Sequence, residues 1–341
     1  VVEGVPAGLK ITEDFINQEL SRRQYSFGRG ERLQYIEKDT ARIVSGVRWG
    51  ETLGSPITLQ IENKDWENWE KIMSVRAEDR SDKHRTVRPR PGHADLVGVL
   101  KYDRQDTRDI LERASARETA ARTAAGAVCR RLLEELGVRI YSWVVEIGGI
   151  GIAEPAMSIE DAHALAEKSQ LRCPDKAAED KMVEAIKDAK ANGDTLGGVY
   201  TVIATGCPVG LGSHTHWDRR IEGQLAQALL SIQAHKGVEV GRGFELAKLK
   251  GSAIHDEIFH KAGKGLFRNT NNAGGIEGGG TRRGGRQHGG RAGVEPSHQL
   301  MDVVVDAADA RWEVVCDDQH AHAAAHCGSS MVSPTRGTIE L

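Results

Sequence analysis

The chain is poor in cysteine, has no long apolar run and carries no surplus of charge. Its 341 residues include five cysteines, Cys129, Cys173, Cys207, Cys316 and Cys327, odd in number and unevenly spaced. That pattern excludes a disulfide frame and reads as reduced thiols in a cytoplasmic protein. No apolar stretch approaches the roughly 20 residues that span a bilayer, so no membrane partner is expected. The opening residues VVEGVPAGLKITED have neither the basic start nor the apolar centre of a secretory signal. A starting Met is also absent, and Val1-Val2-Glu3-Gly4 has the look of a strand end. The expectation is that further chain precedes it. Net charge is -3, from 46 basic and 49 acidic residues. A balanced chain argues against bulk nucleic-acid binding and directs attention to any local concentration of one sign.

One such concentration exists. From Lys83 to Ala94 there is no acid, while Lys83, Arg85, Arg88 and Arg90 lead to Pro91-Gly92-His93. An Ala- and Arg-rich segment follows, with Arg113 and Arg117 one helical turn apart. Guanidinium groups gathered in this way repel one another unless an anion or acidic side chains answer them. A pocket for a small anion and a solvated basic loop followed by a surface helix both satisfy that requirement. A second arginine cluster, Arg22-Arg23 and Arg29 to Arg32, surrounds Gly28 and Gly30. Glycines there let the backbone approach a ligand, or simply make a flexible loop.

The apolar fraction of 39% and charged fraction of 28% fit a soluble globular protein. Residues 11–22 predict a helix capped by Thr12. Residues 41–48 and 56–62 predict strands, with Ile57, Leu59 and Ile61 on one face of the second. Trp66 and Trp69 are expected to pack in the core. Residues 108–136 predict one long helix, rich in alanine and stopped by Gly137. On it Arg113 and Arg117 share a face and Ser115 does not, so the three meet one ligand only if the helix begins near that site. Glu118 and Arg122 are spaced for an i,i+4 ion pair. Strands are expected at 138–150 and 198–205. Helices are expected at 158–169 and 175–191, polar enough to read as a charged surface excursion, and at 219–235, with Ile221, Leu225, Ala228 and Leu229 on one side. Strands and helices mix without a regular βαβ rhythm, which argues for an α+β fold.

Three segments carry a family likeness. Arg88-Pro89-Arg90-Pro91-Gly92-His93-Ala94-Asp95, Arg113-Ala114-Ser115-Ala116-Arg117-Glu118-Thr119 and Asn272-Ala273-Gly274-Gly275-Ile276-Glu277-Gly278-Gly279 resemble the three signatures of the chorismate synthases. Gly4 to Gly8, Arg22-Arg23-Gln24, Gly28-Arg29-Gly30 and Lys236 to Glu239 extend the likeness over residues 1–279. The resemblance implies an α+β sandwich of helices between antiparallel sheets, assembled as a homotetramer. It implies a lyase of aromatic amino-acid biosynthesis, eliminating phosphate from 5-enolpyruvylshikimate 3-phosphate with reduced FMN. Arg23, Arg29, Arg32, Arg90 and Arg117 would face the substrate, whose two carboxylates and phosphate suit forked guanidinium donors. His93 would lie by the flavin as proton donor or electrostatic partner. Arg113, Ala114, Ser115, Gln233, Ala234 and Gly278 would touch FMN. In bifunctional members the positions of Arg23 and Arg29 are also assigned to NADP, so NADPH is one candidate reductant and a separate reductase the other. No metal is implied.

The likeness fails at both ends. The family's Gly-Glu-Ser-His-Gly opening, with its second catalytic histidine, is absent. After Gly279 the composition turns to Gly, Arg and His, and the family's Lys-Pro-containing strand and acidic motif are missing. A reading-frame shift in GC-rich coding DNA predicts such a change, and resequencing that DNA tests it. Residues 280–341 are therefore expected to be an atypical tail, with 300–305 its one strand. Its Arg-Gly run at 282–291 also fits a nucleic-acid-binding segment, although no aromatic interleaves it. His320, His322 and His326 with Cys316 and Cys327 offer metal-ligand chemistry, or an incidental cluster. An inactive relative that keeps the flavin and anion pocket is the other functional class these departures allow.

Overall fold

The computed structural model describes residues 1–24, 27, 39–111, 114, 116–282 and 301–306; for 116, 117 and 301–306 it describes the backbone alone. Helix α1 (Glu13–Gln24) begins where expected, with the Thr12 hydroxyl accepting from the Phe15 amide at 3.2 Å. Its buried Ile16 and Leu20 are one turn apart and face the core. The strand expected over 41–48 is divided into β1 (Ala41–Ser45) and β2 (Val47–Arg48). Gly46 between them has φ 83°, and a Cβ there would stand 2.5 Å from the Pro56 carbonyl oxygen. Only glycine permits that approach. β2 forms a hairpin with β3 (Glu51–Thr52), and β4 (Thr58–Ile61) returns antiparallel to β1.

Trp66 and Trp69 lie on a single-turn helix, α2 (Trp66–Trp69), with no buried residue. This corrects the expectation of core packing. Trp66 is exposed, and Trp69 donates its indole N–H to Asp65 at 2.7 Å while Arg108 stacks over its ring. The single helix expected over 108–136 is likewise corrected. It is preceded by α3 (Asp95–Tyr102) and is itself two helices, α4 (Arg108–Leu111) and α5 (Ala116–Glu135). Alanine favours helix from 114 onward, whereas α4 has none and is fixed by its own contacts. The Asp106 carboxylate caps the Arg108 amide at 3.0 Å, and Ile110 packs so closely on α3 that a Cβ on Gly98 would meet it at 2.5 Å. Tertiary packing overrides propensity here.

The main sheet follows. β5 (Arg139–Ile147) turns through Gly148-Gly149 into β6 (Ile150–Gly151). Helices α6 (Ile159–Lys168) and α7 (Lys176–Ala191) precede β7 (Gly198–Thr205), and α8 (Ile221–Leu230) precedes β8 (Gly237–Val240). The short helix α9 (Gly251–Ile254), the hairpin β9 (Phe259–Lys261) with β10 (Gly265–Phe267), and the hairpin β11 (Ile276–Glu277) with β12 (Gly280–Thr281) come next. Strand β13 (Met301–Asp306) meets the expectation of a strand at 300–305. It lies between β7 and β8 in an antiparallel sheet ordered β6-β5-β7-β13-β8.

The architecture is α+β. Helix α5 packs on α1, on β4 and on β5, so it lies between the small β1–β4 sheet and the large one. Ala124, Ala127 and Val128 of α5 join Ile16, Leu20, Ala41 and Ile57 in one buried cluster. The α6–α7 segment is not a surface excursion. Ala162 and Ala166 pack with Trp143 and Ile203, and Ala178, Met182, Val183 and Ile186 pack with Val144 and Ile147. Alanine carries much of that inward face, so the charged outer face dominated the sequence pattern. Helix α8 packs Ile221, Leu225 and Leu229 against Val138, Ala204, Val238 and Val240. Among the described residues no helix is long and apolar enough to cross a membrane. Cys129, Cys173 and Cys207 are free thiols; Cys316 and Cys327 lie outside the described residues.

Candidate functional site

The cationic loop ends in a four-residue turn. His93 N–H donates to the Arg90 carbonyl at 3.4 Å, with Pro91 and Gly92 at the centre and Gly92 at φ 73°. Proline then glycine at those positions is what a type II turn requires. The turn delivers the chain into α3, whose first residue, Asp95, is 1% exposed. One Asp95 oxygen, Oδ2, accepts from the Arg90 amide at 3.0 Å and from Arg90 Nε at 3.2 Å. The other, Oδ1, is bonded to His93 Nδ1. Arg90 Nη2 lies 3.0 Å from His93 Nε2. Burial pushes the Asp95 carboxyl up, but the bonds from Arg90 and His93 outweigh it and hold the group below the usual carboxylate range. The local structure thus joins two of the expected site residues, Arg90 and His93, through a third that the sequence reading quoted but gave no role.

Arg23 occupies the last turn of α1. Its Nη1 lies 3.3 Å from the buried Asp39 carboxylate, and its Nη2 donates to Thr119 Oγ1 at 3.0 Å. Thr119 is on the first turn of α5, two residues beyond Arg117, so Arg23 stands at the start of that helix. Arg22 points elsewhere, to Glu167 on α6. The Glu118–Arg122 pair forms at 3.1 Å and does more than brace one helix. Arg122 Nη1 also donates to Ser231 Oγ at 2.9 Å and its Nη2 to the Ser231 carbonyl at 3.3 Å. That contact fastens α5 to the loop after α8.

The loop carries Gln233 and Ala234. Ala234 adopts φ 65°, in the left-handed region that disfavours a Cβ. Gln233 Oε1 is buried and has no hydrogen-bond partner among the described residues. The next residue, His235, is itself buried and holds the loop in place. Its Nε2 is 2.7 Å from the Tyr200 hydroxyl on β7 and its Nδ1 is 3.1 Å from the Gln233 carbonyl. Nothing in the one-dimensional pattern pairs residue 200 with residue 235; the sheet does.

Gly278 belongs to the glycine-rich turn before β12, with φ 61° and open space where a Cβ would stand. Buried Asp256 anchors the approach to that turn. Its oxygens accept from Thr270 Oγ1 at 2.5 Å, from the amides of Asn272 and Ala273 at 2.8 and 3.0 Å, and from Arg282 Nη2 at 2.5 Å. Burial raises the Asp256 carboxyl, and these donors more than reverse it. Arg282 is therefore a buried ion-pair partner and not part of a solvent-exposed Arg-Gly run; residues 283–291 lie outside the described residues, as do His320, His322 and His326. The Gly279 carbonyl accepts from the Ile221 amide at 3.0 Å, which places Gly278 near the start of α8. Gln233 follows the end of the same helix, roughly 15 Å away along its axis. A ligand touching both has to be extended.

Of the other expected contacts, Arg29, Arg32, Arg113 and Ser115 lie outside the described residues, and Arg117 is described by its backbone. The expected shared face of Arg113 and Arg117 involves Arg113 and so lies outside the described residues; α5 is described from Ala116. Ala114 lies between α4 and α5 and donates its amide to the Leu111 carbonyl at 3.2 Å.

Known proteins resemble this chain along most of its length. The family model for chorismate synthase matches residues 1–289. The chorismate synthase of Geobacillus sp. (strain WCH70) is 53% identical over 282 residues, spanning 82% of this chain and 72% of that protein. That of Syntrophotalea carbinolica is 55% identical over 282 residues, with the same coverage of 82% and 72%. A crystal structure of chorismate synthase superposes with a TM-score of 0.71 at 43% identity, covering 92% of this chain and 82% of that one.

Proposed function

The chain belongs to the chorismate synthase family, and from that premise we propose that it converts 5-enolpyruvylshikimate 3-phosphate to chorismate and phosphate, as a flavin-dependent lyase of the shikimate pathway. The observation that carries this reading is the convergence of separated segments on the first turns of α5. Arg23 reaches Thr119 and Arg122 reaches Ser231 beside Gln233; the Arg90–His93–Asp95 unit at the start of α3 is proposed to face the same place.

The chemistry asked of the chain follows from the substrate. Two carboxylates and a phosphate call for permanent positive charge, which Arg23 and Arg90 supply, with Arg29, Arg32 and Arg117 proposed to join them. Neither described arginine is a bare cation. Asp39 and Asp95 hold them in place before any ligand arrives, so less ordering is needed on binding. Phosphate leaves one ring carbon as a hydrogen leaves another, and negative charge grows on the departing oxygen. Fixed guanidinium groups in a partly buried site stabilise that charge without reorganising. His93 can hold or pass a proton at Nε2, while its Nδ1 is tied to Asp95.

The residues present fit a flavin mononucleotide. Gln233 Oε1 is a buried acceptor that lacks a donor among the described residues, and a heteroaromatic ring bearing N–H groups would answer it. The left-handed Ala234 and the open face of Gly278 let backbone approach such a ring closely. Reduced FMN, when bound, supplies electron density transiently as phosphate leaves, with no net redox change. Arg113, Ala114 and Ser115 are proposed to complete its site. NADPH, through Arg23 and Arg29, or a separate reductase would reduce it. The family reading also proposes a cytoplasmic homotetramer and a boundary near Gly279 between the enzyme body and an atypical tail to 341.

Anaerobic incubation with photoreduced FMN and the substrate tests the reading, with chorismate and phosphate measured together. Stoichiometric release of both supports it. Flavin binding without turnover would identify a relative that keeps the pocket and has lost the reaction. Failure to bind either compound would sink it.

A further inference from the structure

Asp95 is the least exposed member of the Arg90–His93–Asp95 unit, and its two oxygens serve different site groups. Oδ2 takes the amide and Nε of Arg90 at 3.0 and 3.2 Å. Oδ1 takes His93 Nδ1. A carboxylate only accepts hydrogen bonds, so the proton in that contact sits on Nδ1 of the ring. In the neutral ring the other nitrogen, Nε2, then carries the lone pair; Arg90 Nη2 lies 3.0 Å from Nε2 and 3.2 Å from Nδ1, so the Asp95 contact, not the arginine, selects the tautomer. Asp95 is held by α3, whose close packing at Gly98 against Ile110 leaves the helix little freedom to shift. We propose that Asp95 is a positioning residue that locks His93 as the Nδ1–H tautomer and clamps Arg90 and His93 into one unit, so that Nε2 faces the reacting centre. This rests on the proposed function for its kinetic meaning, and on geometry alone for the tautomer.

The substitution Asp95→Asn separates these roles. An amide keeps an oxygen for Arg90 but presents an N–H to His93 Nδ1, which favours the Nε2–H tautomer. In the wild-type protein, 15N-histidine NMR, with His93 assigned by loss of its signals in His93→Ala, is expected to show Nδ1 protonated and Nε2 bare. In Asp95→Asn the two nitrogens are expected to exchange roles, and kcat to fall by about 10- to 100-fold. The fall in kcat should vanish in a His93→Ala background, while any rise in KM through Arg90 persists there. A wild-type spectrum with Nε2 protonated overturns the proposal, and it does so even if Asp95→Asn does not fold. So does an equal kcat loss in both backgrounds, which would mark Asp95 as a general support for the fold. If the wild type binds flavin yet forms no chorismate, the functional reading fails, and the tautomer measurement still decides the role of Asp95.

Discussion

Two clusters in this molecule are built from the same parts, arginine, carboxylate and histidine, and they are connected differently. In the first, Glu167 accepts from Arg22 Nε at 3.0 Å and Nη2 at 2.8 Å, is also bonded by Arg172, and has His163 Nε2 at 3.5 Å. Burial acts against the charge, but two guanidinium groups more than answer it, and the Glu167 carboxyl is lowered to about 2. His163 is lowered by burial and occupied at Nδ1 by the Ser142 backbone. This cluster staples α1 to α6. In the second, Asp95 is shared between one arginine and one histidine, the two partners proposed to meet substrate and flavin. The parts do not distinguish a staple from a site; the connectivity does.

Breaking each cluster at its histidine should give the widest separation. His93→Ala is expected to lower kcat by about 10²- to 10⁴-fold, the range for losing a positioned proton-handling group. His163→Ala should leave kcat within about twofold and lower thermal stability by roughly 1 kcal/mol. Steady-state kinetics and thermal unfolding of both variants check the pair. Equal kinetic losses would erase the distinction.

Removing the arginines comes next. Arg23→Ala should raise KM for the substrate by roughly 10- to 100-fold, through a lost charge-assisted contact. Arg22, its sequence neighbour, is committed to Glu167, so Arg22→Ala should act on stability and spare KM.

The staple has a pH signature. A carboxyl whose folded pKa lies below its unfolded value adds stability above the unfolded value and loses it as pH falls through the folded one. For Glu167 that window runs from 4.5 down to about 2. Glu167→Gln should therefore cost about 1–3 kcal/mol near neutrality, and the gap from wild type should close across this window. Denaturant unfolding at several pH values measures it; a gap independent of pH would contradict the assignment.

The smallest expected effect sharpens the comparison from the ligand side. Gln233→Leu removes a buried acceptor that lacks a donor among the described residues. The flavin-free protein should gain up to about 1 kcal/mol, while FMN binds roughly 5- to 10-fold more weakly. Opposite signs in calorimetry and in flavin titration mark a group kept for a ligand.

Much of the fold was legible where the local pattern and the tertiary demand agree. The Thr12 cap, the alternation of Ile57, Leu59 and Ile61, the 198–205 strand and the strand near 301 all have short-range causes. The break between α4 and α5 was not legible, because no glycine or proline marks it and α4 is held by packing of Ile110 against Gly98, a contact across the chain. The inward faces of α6 and α7 were hidden for a related reason: alanine carries much of the stripe, and small side chains leave a weak pattern among so many charges. At the candidate site, Arg90 and His93 stood out through turn residues and charge, and Thr119 was quoted in a signature without a role, whereas Tyr200, His235 and Asp256 gave no signal, since each acts through a partner distant in sequence.

By itself the sequence determined which residues could carry charge and protons, and, through its turn and glycine signals, which segments could approach a ligand. These are properties of single side chains and short stretches, set by covalent structure. What the tertiary structure alone decided is who answers whom across the chain: Arg22 to Glu167 but Arg23 to Thr119, and Arg122 to Ser231. Those pairings need helices and strands far apart in the chain to pack within a few ångströms, and that distance is a property of the folded core.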